Sequence, residues 1–147
     1  MHRNWIIWCV VAAAPLVGWA GFSAGLSQGQ EKKVPNSRVY ELRTYTTHPG
    51  RLDALHARFR DHTMKLFEKH GMKNEMYWVP TDEKLASNTL IYIVSHDSLE
   101  AAKKSWDAFR ADPDWLKARA ESEKDGPIVT KFESVFMKTV DYSPVGK

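Results

Sequence analysis

Cysteine is almost absent from this sequence, since Cys9 is the single copy among 147 residues. A lone cysteine excludes an intramolecular disulfide. Because Cys9 lies in an apolar N-terminal run, it also leaves the rest of the chain without a thiol nucleophile. Stability must therefore come from the packing of a hydrophobic core.

Sequence motifs of catalysis and metal binding are missing as well. No Gly-rich phosphate loop, nucleophile elbow, HExxH motif or Cys-His cluster occurs. His56, His62 and His70 lie in one predicted helix, but they lack the i, i+4 spacing that places two metal ligands side by side. We therefore predict no metal site and no cofactor, with haem kept as an alternative.

A large excess of charge of one sign is also lacking. The net charge is +3 over the whole chain, and from Arg38 onward 18 Lys and Arg residues face 17 Asp and Glu residues, a balance of +1. Basic patches interleaved with aromatic residues are typical of nucleic-acid binding, and the sequence contains none. Nucleic acid is therefore not a predicted partner.

The N-terminal segment is the longest apolar stretch in the chain. Residues 5–26 contain no charged side chain, and Arg3 precedes them. Residues 1–26 are typical of a signal peptide, with small residues around Ala20 for cleavage, or of an N-terminal membrane anchor, because 22 such residues can span about 30 Å. Both alternatives predict export to the periplasm or another extracytoplasmic compartment. Residues 27–37 are polar and predict a flexible linker.

Residues 38–142 predict one globular domain, followed by a C-terminal tail at 143–147. Strands are predicted at 39–45, 72–80, 89–96 and 128–142, with helices at 51–70 and from Ser98 to about 110, and a further short helix from Pro113. The order β-α-β-β-α-β indicates an α+β, ferredoxin-like sheet with both helices on one face. The other face would expose apolar residues in a monomer, so we predict a homodimer.

The first strand carries two opposite charges on one face. Alternation places Glu41 and Arg43 on the same side as Val39 and Tyr45. Two functions fit this arrangement, a structural ion pair and a ligand-orienting site in which Arg43 suits a carboxylate.

Several of these segments together resemble the NIPSNAP domain. The resemblance rests on the VYELRTY strand at 39–45, the Pro49-Gly50 helix start, His62, the stop at Gly71 and the WDAFRADPDW run at 106–115. It covers about residues 38–142 and implies membership of the dimeric α/β-barrel superfamily, in which two ferredoxin-like sheets face one another. An export signal departs from the mitochondrial or cytosolic pattern of the family, so the partners of its animal members are not carried over.

Six residues are candidates for a ligand site in such a domain, with His62 as the candidate general base because we expect it at the edge of the apolar helix face. The predicted ligand-binding residues are Glu41, Arg43, Tyr45, His62, Trp78 and Trp106. The sequence thus predicts an exported dimeric module that binds a small apolar or aromatic ligand or a protein partner. The alternative is an enzyme similar to the cofactor-free monooxygenases or haem-handling proteins of the superfamily.

Overall fold

A four-stranded antiparallel sheet forms the framework of the domain. The computed structural model describes residues 38–145, so the predicted leader at 1–26, the linker at 27–37 and the last two residues lie outside the described part. The strands are β1 (Val39–Thr47), β2 (Lys73–Trp78), β3 (Thr89–His96) and β4 (Val129–Met137). They are arranged in the order β2-β3-β1-β4, which places β1 between β3 and β4.

Helical segments connect the strands. They are α1 (Leu52–Arg58), a π-helical turn (Phe59–Thr63), α2 (Met64–Lys69), α3 (Glu83–Ala86), α4 (Leu99–Ala111) and α5 (Pro113–Ser122). Their order confirms the predicted βαββαβ fold, to which α3 and α5 are additions. No helix within residues 38–145 combines the length and apolar character needed to cross a bilayer.

Capping residues set the start of α4, the start of α5 and the end of the helical region that precedes β2. The side chain of Ser98 accepts a hydrogen bond from the backbone N–H of Ala101 and so begins α4. Asp112 does the same for α5, accepting from the N–H of Asp114 at 2.7 Å, with Pro113 at the first helical position. Gly71 ends the first helical region in the left-handed conformation, at φ 77°.

The hydrophobic core lies between the sheet and the helices. Its centre is aromatic, because Tyr92 of β3 packs against Phe59, Phe67 and Tyr77 with ring centroids 5.1 to 6.1 Å apart. The other buried members are Leu52, Leu55, Leu66, Met72, Leu90, Val94, Trp106, Phe109 and Ile128. The helices therefore cover one face of the sheet.

The opposite face of the sheet, here called the open sheet face, is not covered by any described helix. The register pairs Leu42 with both Ile93 and Val135, and Ile93 also with Met76, so these side chains share that face. Its apolar members are Tyr40, Leu42, Met76, Trp78, Ile91, Ile93, Val135 and Met137, all exposed or half-buried.

Three local predictions were wrong. The π turn is wider than an α turn and rotates the helix, so His62 is exposed instead of lying beside the apolar face. A bulge between Asn74 and Met76 places Asn74 on the helix side and Trp78 on the open sheet face, whereas unbroken alternation along the predicted strand at 72–80 would place both on one side. The last strand ends at Met137, five residues before the predicted Tyr142.

Candidate functional site

A buried carboxylate lies at the centre of the site. Glu41 is 1% exposed, and its two oxygens accept four hydrogen bonds. Arg43 Nη1 and Ser134 Oγ each donate to Oε1 at 2.6 Å, and Trp106 Nε1 donates to Oε2 at 2.6 Å. His96 Nε2 lies 3.1 Å from the same Oε2. The acceptor capacity of the carboxylate is thus satisfied on all sides.

The sheet topology brings these groups together from distant parts of the sequence. Because β1 is central, its helix-side residues meet those of β3 on one edge and β4 on the other. Val39 pairs with His96, and Arg43 pairs with Ser134, which places both partners next to Glu41. Trp106 reaches the same point from α4, since it lies on the buried side of that helix.

The hydrogen bonds decide the charge state of Glu41. Burial by itself would raise the pKa of this carboxyl group, but the hydrogen bonds from His96, Ser134 and Trp106 and the charge of Arg43 lower the pKa to about 2. Glu41 is therefore ionised at neutral pH and forms a buried ion pair with Arg43.

Arg43 is held between the carboxylate and a set of aromatic rings. Its Nη2 donates to the hydroxyl oxygen of Tyr45 at 3.1 Å. Its guanidinium carbon lies 4.3 Å from the ring centroid of Trp106 and 5.0 Å from that of Phe132. Burial would lower the pKa of Arg43, but the neighbouring Tyr92, Tyr45 and Glu41 raise it, so the side chain remains charged.

Beside Arg43 lies a cavity of about 420 Å³ between the sheet and helices α4 and α5, here called the Arg43 cavity. Arg58 closes it on the side of α1, where its guanidinium pairs with Glu123 at 3.0 Å and lies 5.2 Å from the ring centroid of Trp115. The remaining lining residues are Tyr45, Trp106, Phe109, Arg110, Arg119, Pro127, Val129, Thr130, Lys131 and Phe132. Aromatic rings and basic side chains thus line the same cavity.

Four of the six predicted site residues lie at this one location. Glu41 supports Arg43, while Arg43, Tyr45 and Trp106 line the Arg43 cavity itself. The other two lie elsewhere. His62 lines a groove against α5 that it shares with Asp61, Lys117 and Glu121, and Trp78, 43% exposed, lies on the open sheet face.

Arg58 and His96 are among the residues of the site that the sequence did not predict. Arg58 lies outside the apolar face of the predicted helix at 51–70, and it is buried because α5 packs over that side of α1. His96 was assigned only as the end of a strand. Its place could have been found by pairing β1 with β3, because alternation puts His96 on the same face as Tyr92 and Val94.

The described residues contain no group of three or more His, Cys, Asp or Glu side chains that could hold a metal ion. The chemistry that residues 38–145 do offer at the Arg43 cavity is hydrogen-bond donation by charged guanidinium groups, together with stacking on aromatic rings.

Comparison with known proteins identifies the family. The NIPSNAP family model matches residues 40–144, which is more than half of the chain. No curated protein matches the sequence.

Solved structures with the same fold include two NIPSNAP proteins. A NIPSNAP-like domain protein from Burkholderia xenovorans is 15% identical, with a TM-score of 0.63 over 74% of this chain and 90% of that one. A NIPSNAP family protein of unknown function from Agrobacterium tumefaciens is 23% identical, with a TM-score of 0.62 over 73% and 92% of the two chains. SnoaB, a cofactor-independent oxygenase from Streptomyces nogalater, is 15% identical, with a TM-score of 0.51 over 74% and 99%. The chain described here belongs to the NIPSNAP family.

Proposed function

We propose that this domain binds a planar aromatic small molecule in the Arg43 cavity. The observation that carries the proposal is the combination of a space of about 420 Å³ with aromatic walls and a buried, oriented guanidinium. Ligand pockets of this size are typically apolar, with a few convergent polar groups that fix orientation. Arg43 is such a group, since Glu41 and Tyr45 fix its position.

The proposal is tested by calorimetric titration with the bicyclic probes 2-naphthoate and 2-naphthamide. Binding in the Arg43 cavity should be weakened at least tenfold by Phe132→Ala, because Phe132 lines the cavity and is 59% exposed, so its removal spares the core. Phe136→Ala is the matched control, since Phe136 lies on the same face of β4, is 45% exposed and does not line the cavity. Absence of binding by both probes, or equal loss in the two variants, would refute the proposal. Turnover of a bound probe in air, followed by chromatography, would identify the site as catalytic.

The domain also acts as a homodimer in this proposal, with a second copy covering the open sheet face. The face presents a continuous apolar surface centred on Ile93, which is flanked by Leu42 and Met76 on the neighbouring strands. A second copy would bury this face, since contiguous apolar patches are rarely left in water.

Light scattering coupled to size-exclusion chromatography tests the dimer. We expect Ile93→Lys to convert a dimer into a monomer, because it places a charge at the centre of the open sheet face. Leu116→Lys is the control, since Leu116 is 52% exposed on α5, away from that face. A monomeric wild-type protein at micromolar concentration would rule out the dimer.

Export completes the proposal and rests on the uncharged N-terminal run at 5–26 alone. Fractionation of cells that express the full chain would place it in the periplasm or at the membrane. Recovery of the protein in the cytoplasmic fraction would contradict export.

A further inference from the structure

Two buried arginines line the Arg43 cavity, and each retains an unused hydrogen-bond donor. Arg43 is 8% exposed and Arg58 is 5% exposed. The Nη atoms of Arg43 donate to Glu41 and Tyr45, and Nη1 of Arg58 donates to Ser122 and Glu123. The Nε of each arginine has no hydrogen-bond partner among the residues that the structure describes. A buried donor without a partner is costly, and an acceptor supplied by a bound molecule would remove that cost.

The charges around the cavity do not cancel. The charge of Arg43 is balanced by Glu41, whereas Arg58 and Arg119 share a single carboxylate, that of Glu123, at 3.0 and 3.1 Å. Two cations for one anion leave a net positive charge on the α5 side of the cavity.

The charged residues at the exposed rim of the cavity contribute little to its net charge. Arg110 pairs with Asp107 at 2.6 Å and Lys131 pairs with Glu133 at 2.7 Å, and all four side chains are largely exposed. Solvent screens such pairs. The positive charge that a ligand would meet at the cavity therefore comes from Arg43, Arg58 and Arg119, of which Arg43 and Arg58 are buried and Arg119 is 59% exposed.

The aromatic rings restrict the shape of what can approach these charges. Trp106 and Phe132 lie against the guanidinium of Arg43, and Trp115 lies against that of Arg58. Rings in these positions favour a flat ligand, and the guanidinium edges favour a group that only accepts hydrogen bonds.

We infer that the ligand of this cavity is a planar aromatic acid, whose carboxylate or comparable anionic oxygen group is bound by Arg43 and Arg58. The inference rests on the proposed binding function and narrows it to one ligand class. Glu41 is a positioning residue here, because it holds Arg43 in place without lining the cavity. Neutral analogues of the same shape would leave the excess charge without a partner.

The experiment compares 2-naphthoate with 2-naphthamide, which have the same ring system and differ in charge. We expect the full chain to bind the acid about tenfold or more tightly than the amide, since a charge-assisted hydrogen bond is stronger than a neutral one. Arg58→Gln should lower this preference at least fivefold, while Arg119 still pairs with Glu123 and supports folding. Arg60→Gln is the matched control, because Arg60 is an exposed arginine two residues from Arg58 that does not line the Arg43 cavity, and the preference of this variant for the acid should equal that of the wild type.

The outcomes distinguish the proposed binding of aromatic molecules from the narrower inference that the ligand is an aromatic acid. If both probes bind equally well and Phe132→Ala weakens both, the cavity binds aromatics but the inference of an acid is wrong. If neither probe binds, the inference and the proposed function both fail. If Arg58→Gln keeps the full preference for the acid, Arg58 does not bind the anionic group, and the inference is overturned. Arg43→Lys provides a second test, because it retains the positive charge opposite Glu41. This variant should also bind the acid more weakly, since lysine lacks the planar guanidinium that can bind a carboxylate through two hydrogen bonds.

Discussion

Replacing Glu41 by Gln tests whether the buried ion pair holds the domain together. The substitution keeps the size of the side chain but removes its charge, so Arg43 is left buried without a counterion. It also reverses part of the hydrogen bonding, because a glutamine amide has one oxygen to accept and a nitrogen that donates. Of the four groups that now contact the carboxylate, those at one oxygen would face an amide N–H instead.

The expected loss of stability can be worked out in two ways. Removing one partner of a buried ion pair costs about 3 to 5 kcal/mol. The pKa gives an independent value, since lowering it from the ordinary 4.5 to about 2 means that folding favours the ionised form of Glu41 by about 3 kcal/mol. Both routes predict that Glu41→Gln lowers the free energy of unfolding at pH 7 by about 3 kcal/mol or more.

The pH dependence follows from the direction of the shift. Because the pKa of Glu41 is lower in the folded state than in the unfolded state, its contribution is fully present above about pH 4.5 and is lost as the pH falls towards 2. Glutamine does not titrate. The difference in unfolding free energy between wild type and variant should therefore be about 2 kcal/mol smaller at pH 3 than at pH 7.

Urea denaturation followed by far-ultraviolet circular dichroism at the two pH values measures both quantities. Glu133→Gln is the matched control, since this glutamate lies on β4 with an exposed side chain paired only with Lys131, and its loss should cost less than about 1 kcal/mol. A loss below 1 kcal/mol for Glu41→Gln at pH 7, or a difference that does not change with pH, would refute the reasoning.

Two further substitutions probe the surroundings of the site. Trp106→Phe keeps an aromatic ring but deletes the indole N–H that donates to Glu41, so it should cost about 1 to 3 kcal/mol in urea denaturation, and a neutral result would mean that this hydrogen bond is unimportant. Gly71→Ala should cost about 1 kcal/mol in the same assay because of its φ of 77°. Since an added Cβ would meet Ser105 at an ordinary 3.7 Å, a much larger loss would point to a clash rather than to backbone strain.

The sequence predicted the part of the site that follows from the alternation of side chains along one strand. Alternation along one strand was enough to place Glu41, Arg43 and Tyr45 on a common face, and β1 has no irregularity between them. The antiparallel fold followed from the order of the elements. These are local properties, and each needs only a few neighbouring residues to specify it.

Irregular backbone explains why other predictions failed. One extra residue in β2 moved Trp78 to the opposite face, and one π turn moved His62 into solvent. Neither leaves a signal in the hydrophobic pattern. Arg58 was missed for a different reason, since its burial depends on the packing of α5 against α1, and a helix predicted from Pro113 does not by itself say which surface it covers.

The hydrogen bonds of Glu41 also constrain how the chain can fold. The partners of Glu41 lie 55, 65 and 93 residues further along the sequence. The central strand therefore forms its second edge only when residues 129–137 arrive, and a nascent chain that lacks them has an unpaired strand edge. Contacts of such separation slow folding, because the entropy of closing a long loop is lost before the contact is made. The domain should therefore remain incompletely folded during synthesis until its last strand is available, and chaperones that recognise unfolded chains would have that interval in which to bind it.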